Sequence, residues 1–439
     1  MKGVVLSAAG SGSGKTSVAT GIMRLLSRDM GVQGYKVGPD FIDPAYHTAA
    51  TGRTSRNLDT FLMGREGVRN VVGRTSVGAD VCVVEGVRGL FEGASGRTEE
   101  GSTAELAKIL GFPVVLVLNT RSLTRSAAAI VRGFRSLDPE LDIAGVILNN
   151  VSNAQHERKL LDAMDEYTDV EVIGTVFRDT SKSISSRTLG LRSGDGIREA
   201  IEAQAEMVSD LDLDRLMDIC ERKETEFPTE NPFVERDCGL RVAVPRDGCF
   251  SFYYEDNLDC LRSSGFEIEF HSPVAGDPLP DADAHYVGGG CLEEFAAAVS
   301  GNADFMDGMR RAAGDGVPIL AEGDGMLALC NDFNVDGETH PMAGVFDASS
   351  AMTGNRHGPY FVLADALPGN PFYPGAIKGH SFHYTEVHPN DPDYGFSIAR
   401  GGGITDSRDG MVANRALGMF THVHALSVPD WAGGFLNGP

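Results

Sequence analysis

The chain has 439 residues, 42% of them hydrophobic and 23% charged, a globular composition too apolar for disorder and too long for one compact core. Its net charge of −24 repels polyanions and argues against nucleic acid and anionic membrane as partners. No apolar run is long enough to span a bilayer, and none near Met1 suits a signal peptide, which predicts a cytoplasmic protein.

In chain order, VVLSAAG (4–10) predicts the first strand, and further short apolar runs follow. They are the stretch around Gly34–Val37, VCVVEG (81–86), VVLVLN (114–119), AGVILNNV (144–151) and VEVIGTV (170–176). Continuous apolar strands alternating with helical patterns predict a parallel sheet covered on both faces. The pattern ends near residue 205. Residues 206–238 start helical and turn Pro- and Glu-rich, which predicts a linker. A second alternation then begins with LRVAVPRD, FEIEFHSP, AHYVGGG and VPILAEGDG, with late strands around YFVLADAL and SFHYTEV. The expected organisation is two α/β domains, 1–205 and 239–439. Acidic excess is concentrated in the second, so the first is where anions are more easily handled; the acid-rich, Lys-poor surface is read as solubility chemistry. The seven cysteines form no CxxC pair and are read as free, mostly buried thiols.

Ala9 to Thr16, AGSGSGKT, follows the first strand and opens a helix, as a P-loop does, with Ala9 in place of the usual first Gly. Its backbone N–H groups cradle phosphates, Lys15 reaches the β/γ-phosphates and the Thr16 hydroxyl ligates Mg²⁺. Gly10, Gly12, Ser13, Gly14, Lys15, Thr16 and Ser17 are the expected nucleotide-binding residues. Glu85, at the end of VCVVEG, is placed to act near Mg²⁺. Between them, Asp40 and Asp43 flank a Pro-shaped turn where they can hold Mg²⁺ or orient an acceptor carboxylate. Lys36 sits at a strand end facing the nucleotide crevice. The metal set expected from these positions is Thr16, Asp40 and Glu85.

These motifs carry a specific resemblance. KVGPDFIDPAYHTAATGRTSRNLD (36–59), VEGVRGLFEG (84–93), GSTAELAKILGFPVVLVLN (101–119) and GVILNNV (145–151) resemble the family of cobyrinic acid a,c-diamide synthases, which includes the nickel-sirohydrochlorin a,c-diamide synthases of methanogens. The resemblance covers essentially the whole chain. It implies a dethiobiotin-synthetase-like P-loop domain followed by a class I glutamine-amidotransferase-like α/β domain. It also implies a carbon–nitrogen ligase: ATP phosphorylates a side-chain carboxylate of a tetrapyrrole, and ammonia, free or drawn from glutamine, displaces phosphate to leave the amide. Asn149 matches the family position that reads adenine. Arg88, Arg97, and Arg53 or Arg56 are candidates to pair with the tetrapyrrole carboxylates, and a homodimer is compatible with the family. Departures lie at Arg88 (usually Met), at Glu92 (usually Asp) and in SSRTLGL (185–191), where only Arg187 and the LGL of the family pattern survive. They bear on substrate identity more than on ATP chemistry.

In the second half, VPILAEGDGMLALC (317–330) stands where the family carries Ala-Glu-Cys-Gly-Gly, a nucleophile elbow whose thiol a histidine deprotonates. Here the cysteine position is Gly323. Cys330 is expected to face the core. Cys291 and Asp324 are weaker substitutes. His422 of MFTHVHAL matches the catalytic histidine and is read as vestigial; His422 and His424 with His380 and His383 leave a metal cluster open as an alternative. GGGCLEE and KGHSFHY depart from the family too. The reading is ATP-dependent amidation of the a and c side-chain carboxylates of a tetrapyrrole, of cobyrinate or nickel-sirohydrochlorin type, with free ammonia in place of glutamine and doubtful glutaminase activity. An amidoligase for another acid, a silent ATP-binding partner of an intact paralogue, and a MinD-like partitioning ATPase are the alternatives.

Overall fold

The computed structural model describes residues 1–178 and 194–436. The segment SSRTLGL, with Arg187, lies outside these residues. The chain divides into two compact units, Met1–Asn231 and Pro232–Pro439. Among the described residues no helix is long and apolar enough to cross a membrane.

The first unit holds β1 (Gly3–Ala8), α1 (Lys15–Leu26), β2 (Val32–Val37), α2 (Ile42–Thr51), β3 (Arg56–Leu58), α3 (Thr60–Thr75), β4 (Val81–Glu85) and α4 (Thr103–Leu110). It continues with β5 (Val114–Asn119), α5 (Arg125–Leu137), β6 (Ile143–Val151), α6 (Ala154–Tyr167), β7 (Glu171–Phe177), α7 (Gly194–Met207) and α8 (Leu213–Glu221). The strands form one seven-stranded sheet in the order β3-β2-β4-β1-β5-β6-β7, with parallel pairing throughout. Strands β1, β2 and β4 are buried at every position, as their unbroken apolar runs require of a sheet covered on both faces. Helices α1, α2, α7 and α8 bury Val18, Ile22, Tyr46, Ile201 and Leu216 against one face. Side-chain caps start α3 at Asp59, α4 at Ser102 and α6 at Asn153, each carrying an oxygen that the first free N–H groups need.

The stretch 206–238, expected to be a linker, is partly structured. Its helix α8 buries Leu216, Ile219 and Cys220 in the core of the first unit. The helix accords with the expected helical start of the stretch, and its acidic residues occupy the outer face of an amphipathic helix.

The second unit holds β8 (Arg241–Pro245), β9 (Phe250–Phe252), α9 (Glu255–Ser263), β10 (Glu267–His271), β11 (Ala284–Val287), β12 (Gly289–Gly290), α10 (Leu292–Gly301), α11 (Ala303–Gly314), β13 (Ile319–Glu322) and α12 (Asp324–Leu327). After them come β14 (Asp332–Val335), β15 (Glu338–Pro341), β16 (Ala348–Ala366), β17 (Ile377–Pro389), β18 (Asp393–Arg400), β19 (Arg408–Ala413), β20 (Ala416–Met419) and β21 (His422–Val423). Strands β10-β8-β11-β13-β20 are parallel neighbours. The later strands extend this sheet mainly as antiparallel hairpins. The late strands expected at 360–367 and 381–387 belong to one long hairpin, β16–β17.

Candidate functional site

The phosphate loop of the first unit leaves β1 and turns into α1 through Gly12 (φ 75°) and Gly14 (φ 82°). Both lie in the left-handed region that only glycine enters without strain. Gly14 is required on a second count: a Cβ there would strike the Asn149 amide. The Ser13 hydroxyl donates to Gly10 O (2.7 Å), and Asn149 Nδ2 donates to Ser13 O (2.8 Å). Asn149 therefore pins the loop. Its neighbour Asn150, at φ 61°, lines a cavity of about 600 Å³ with Arg121, His156, Lys159 and Arg178. Ser17 sits half-buried on the first turn of α1.

Four expected residues converge at the strand ends. The parallel register sets Lys36 of β2 beside Glu85 of β4. Lys36 Nζ lies 2.8 Å from Glu85 Oε1 and 2.5 Å from Asp43 Oδ2. The Thr16 hydroxyl donates to Glu85 Oε1 (2.7 Å) and meets Asp43 Oδ2 at 3.3 Å. Lys15 Nζ donates to the carbonyl of Arg88 (2.7 Å). Arg88 itself holds a left-handed φ of 49°, a strained state for a side-chain-bearing residue, and its side chain is exposed.

The electrostatics follow from burial. Burial works against the charge on Lys36, but Glu85 and Asp43 outweigh it and hold the ammonium above its ordinary range. Burial likewise opposes ionisation of Glu85, yet Lys36 and His47 keep its carboxyl below the usual carboxylate range. Asp43 is pushed up to about 7, first by burial and then by Glu85. Burial, followed by the charge of Lys36, lowers Lys15.

Oxygen donors from Thr16, Asp43 and Glu85 meet at one point, and such hard ligands suit Mg²⁺, which takes one or two carboxylates and completes its shell with phosphate and water. Among the described residues no group of three His, Cys, Asp or Glu is placed to hold a metal. Asp40 is differently occupied from its expected metal role. Its Oδ1 accepts from the Ile42 and Asp43 N–H groups (2.9 and 3.0 Å), so it starts α2 while Asp43 faces Thr16. Arg53 is also spent: it donates to Gln33 Oε1 and to the Thr75 and Val77 carbonyls. Sequence reasoning passed over His47, whose Nε2 lies 2.8 Å from Glu85 Oε2. The signal was present, since His47 follows Asp43 by one helical turn and both are buried on α2.

In the second unit, β13 ends at Glu322 and Gly323 turns the chain (φ 53°, ψ −123°) into α12. A Cβ on Gly323 would lie 2.9 Å from His422 Nε2. On its other side, His422 Nδ1 stands 3.4 Å from Glu322 Oε2. Glu322 is held in turn by Val423 N (3.0 Å) and by the Tyr286 hydroxyl (3.0 Å), which receives Asn257 Nδ2 (3.2 Å). A histidine, an orienting carboxylate and a strained strand-to-helix turn are the parts of a nucleophile elbow. Glu322, Tyr286 and Asn257 were not anticipated.

Burial, then Glu293 and Asp324, push the Cys291 thiol up, and its N–H donates to Cys249 O. The Cys330 thiol is pushed up to about 12 by burial. Neither is a thiolate at neutral pH. The Asp324 carboxyl, pushed up to about 7 by burial and then by Glu293, accepts from Leu292 N (3.0 Å). Three of the four histidines considered as a metal cluster have separate duties, His422 at the elbow and the other two elsewhere. His424 Nδ1 accepts from Leu426 N, and His383 stacks on Phe420 at 3.6 Å with Nδ1 against Thr385 O.

Comparison with known proteins adds the following. The family model for the CobQ/CobB/MinD/ParA nucleotide binding domain matches residues 4–189, and that for the CobB/CobQ-like glutamine amidotransferase domain matches residues 241–429. The chain is 40% identical to a cobyrinate a,c-diamide synthase of Methanosphaera stadtmanae, over 99% of this chain and 98% of that one. It is 41% identical to that of Methanothermobacter thermautotrophicus, over 98% of each chain. It is 38% identical to that of Methanobrevibacter smithii, over 98% of this chain and 97% of that one.

Proposed function

The chain belongs to the cobyrinate a,c-diamide synthase family, and from that premise we propose that it is an ATP-dependent ligase amidating the a and c side-chain carboxylates of a tetrapyrrole, of cobyrinate or nickel-sirohydrochlorin type, with free ammonia as the nitrogen source. A carboxylate is a poor electrophile. Transfer of the γ-phosphoryl group makes it an acyl phosphate, ammonia attacks the carbonyl carbon, and phosphate leaves with the bonding pair; the attacking nitrogen sheds its proton to solvent. Backbone N–H groups of Gly12 to Thr16 cradle the phosphates, and Lys15 exchanges the Arg88 carbonyl for the β/γ-phosphates. Lys36 steadies the charge of the transferring group. Thr16, Glu85 and Asp43 would hold Mg²⁺, with Asp40 setting the turn that presents Asp43. Bound there, Mg²⁺ supplies neutralisation of β- and γ-phosphate charge.

One observation carries the choice of ammonia: the place of the elbow nucleophile, 2.9 Å from His422 Nε2, belongs to Gly323. Glycine cannot form a glutamyl thioester, and loss of the covalent route costs several orders of magnitude in rate. His422 is then a base without a thiol to activate. The test is ADP and amide formation from a tetrapyrrole polycarboxylate with ammonium or with glutamine. Turnover is expected with ammonium alone, and Lys15→Ala should abolish ATP binding by calorimetry. Glutamate release at the rate of ATP turnover would overturn the nitrogen assignment. Unchanged ATP affinity in Lys15→Ala would overturn the nucleotide site.

A further inference from the structure

We propose that His47 is a positioning residue for Glu85, turning one oxygen of that carboxylate towards the Mg²⁺ of the phosphate loop. This rests on the reading of the loop as an ATP site. His47 and Glu85 are fully buried, so neither finds water to replace a lost partner. A carboxylate only accepts, so at 2.8 Å His47 Nε2 must carry the proton and donate to Oε2. On the other side of the ring, the Ser55 hydroxyl stands 3.5 Å from Nδ1.

The two oxygens of Glu85 are thereby divided. Oε2 belongs to His47, while Oε1 receives Thr16 Oγ1 at 2.7 Å and Lys36 Nζ at 2.8 Å. The carboxylate can otherwise rotate about its last bond. Without the imidazole, Oε2 would be buried with no donor, a costly state, and the group would turn to share Thr16 or Lys36. The fold makes room for this contact: Gly34 of β2 lies under His47, and a Cβ there would come within 3.1 Å of the His47 Cβ. Partners that orient a metal-binding carboxylate typically change metal affinity by about 10–100-fold.

The test uses the full chain with ATP and Mn²⁺ as a paramagnetic probe, free Mn²⁺ being read by electron paramagnetic resonance. His47→Gln and His47→Met have nearly the same size, but only the amide can donate to Glu85. We expect His47→Met to weaken Mn²⁺ binding by about tenfold or more, His47→Gln to stay within about threefold of the parent, and ATP affinity in EDTA to be equal in all three. Equal Mn²⁺ affinity in His47→Met and the parent would overturn the inference, as would equal losses in two folded variants. Should His47→Met not fold, His47→Asn replaces it: its shorter amide does not reach Glu85, so it must lose Mn²⁺ where His47→Gln keeps it. Absence of ATP-dependent Mn²⁺ binding in the parent would instead overturn the ATP reading beneath it, a separate result.

Discussion

At Gly323 one absent side chain separates two chemistries. The backbone is bent as an elbow (φ 53°, ψ −123°), and the acid and base beside it are in place. Gly323→Cys is therefore expected to release glutamate from glutamine where the parent does not, and Gly323→Cys/His422→Ala to be silent. Equal rates in the single and double variants would show that the histidine plays no part. The same substitution should cost stability, about 1–3 kcal/mol for a side chain at this φ, partly because the His422 ring must yield to a Cβ 2.9 Å away. Urea unfolding measures that loss. The glycine stands where the resemblance implies a thiol, between Ala321, Glu322 and Gly325, and this much is legible from the residue string. The support beneath His422 is not, because Glu322, Tyr286 and Asn257 lie on β13, β11 and α9 and meet only when those elements pack.

Between elements, the phosphate loop is held from both sides. Asn149, at the end of β6, takes Ser13 O, and the loop after β4 offers the Arg88 carbonyl to Lys15. Asn149→Ala leaves the carbonyl without its donor and frees the loop before nucleotide arrives. A net hydrogen bond of about 1 kcal/mol corresponds to a roughly fivefold weaker ATP Kd by calorimetry; an unchanged Kd would mean that the pin does not prepare the loop. Sequence alone placed Asn149 at this strand end. That its amide meets Ser13 while Asn150 lines the cavity accords with the alternation of side chains along a strand, but which of the two meets the loop is decided by the packing.

Across the whole molecule, a net charge of −24 makes the folded state self-repelling, and added salt screens that repulsion. Raising KCl from about 0.1 M to about 1 M, where the Debye length shrinks from about 10 Å to about 3 Å, should raise Tm by several degrees; a Tm that falls would show that ion pairs dominate instead. Acidity acts locally as well. Burial pushes the Asp59 carboxyl up to about 7, well above its unfolded value of about 4. The fold thus keeps a proton that the unfolded chain releases, so this group's contribution is complete below about pH 4 and is lost as pH rises through about 7, at up to about 1.4 kcal/mol per pH unit. Asp59→Asn retains a side chain able to accept from Phe61 and Leu62 and should flatten the decline in Tm between pH 4 and 7. An undiminished slope would place its origin elsewhere.

Local order determined much of this protein unaided. Contiguous patterns announce the glycine-rich loop after a β-branched strand, the alternation that makes a parallel sheet, the family motifs, and a glycine at the position where the resemblance implies a thiol. What only the tertiary structure decided is which charges meet. Asp40 and Asp43 look equivalent in the string, yet one accepts from the first N–H groups of α2 and the other faces Thr16. Arg53 looks free to bind an acid, yet the Thr75 and Val77 carbonyls at the end of α3 consume it. Lys36 and Glu85 become neighbours because β2 and β4 pair in that register, and His47 joins them because α2 packs over β2. Such contacts join residues far apart in the chain, so they are set by sheet register and helix packing rather than by any local pattern.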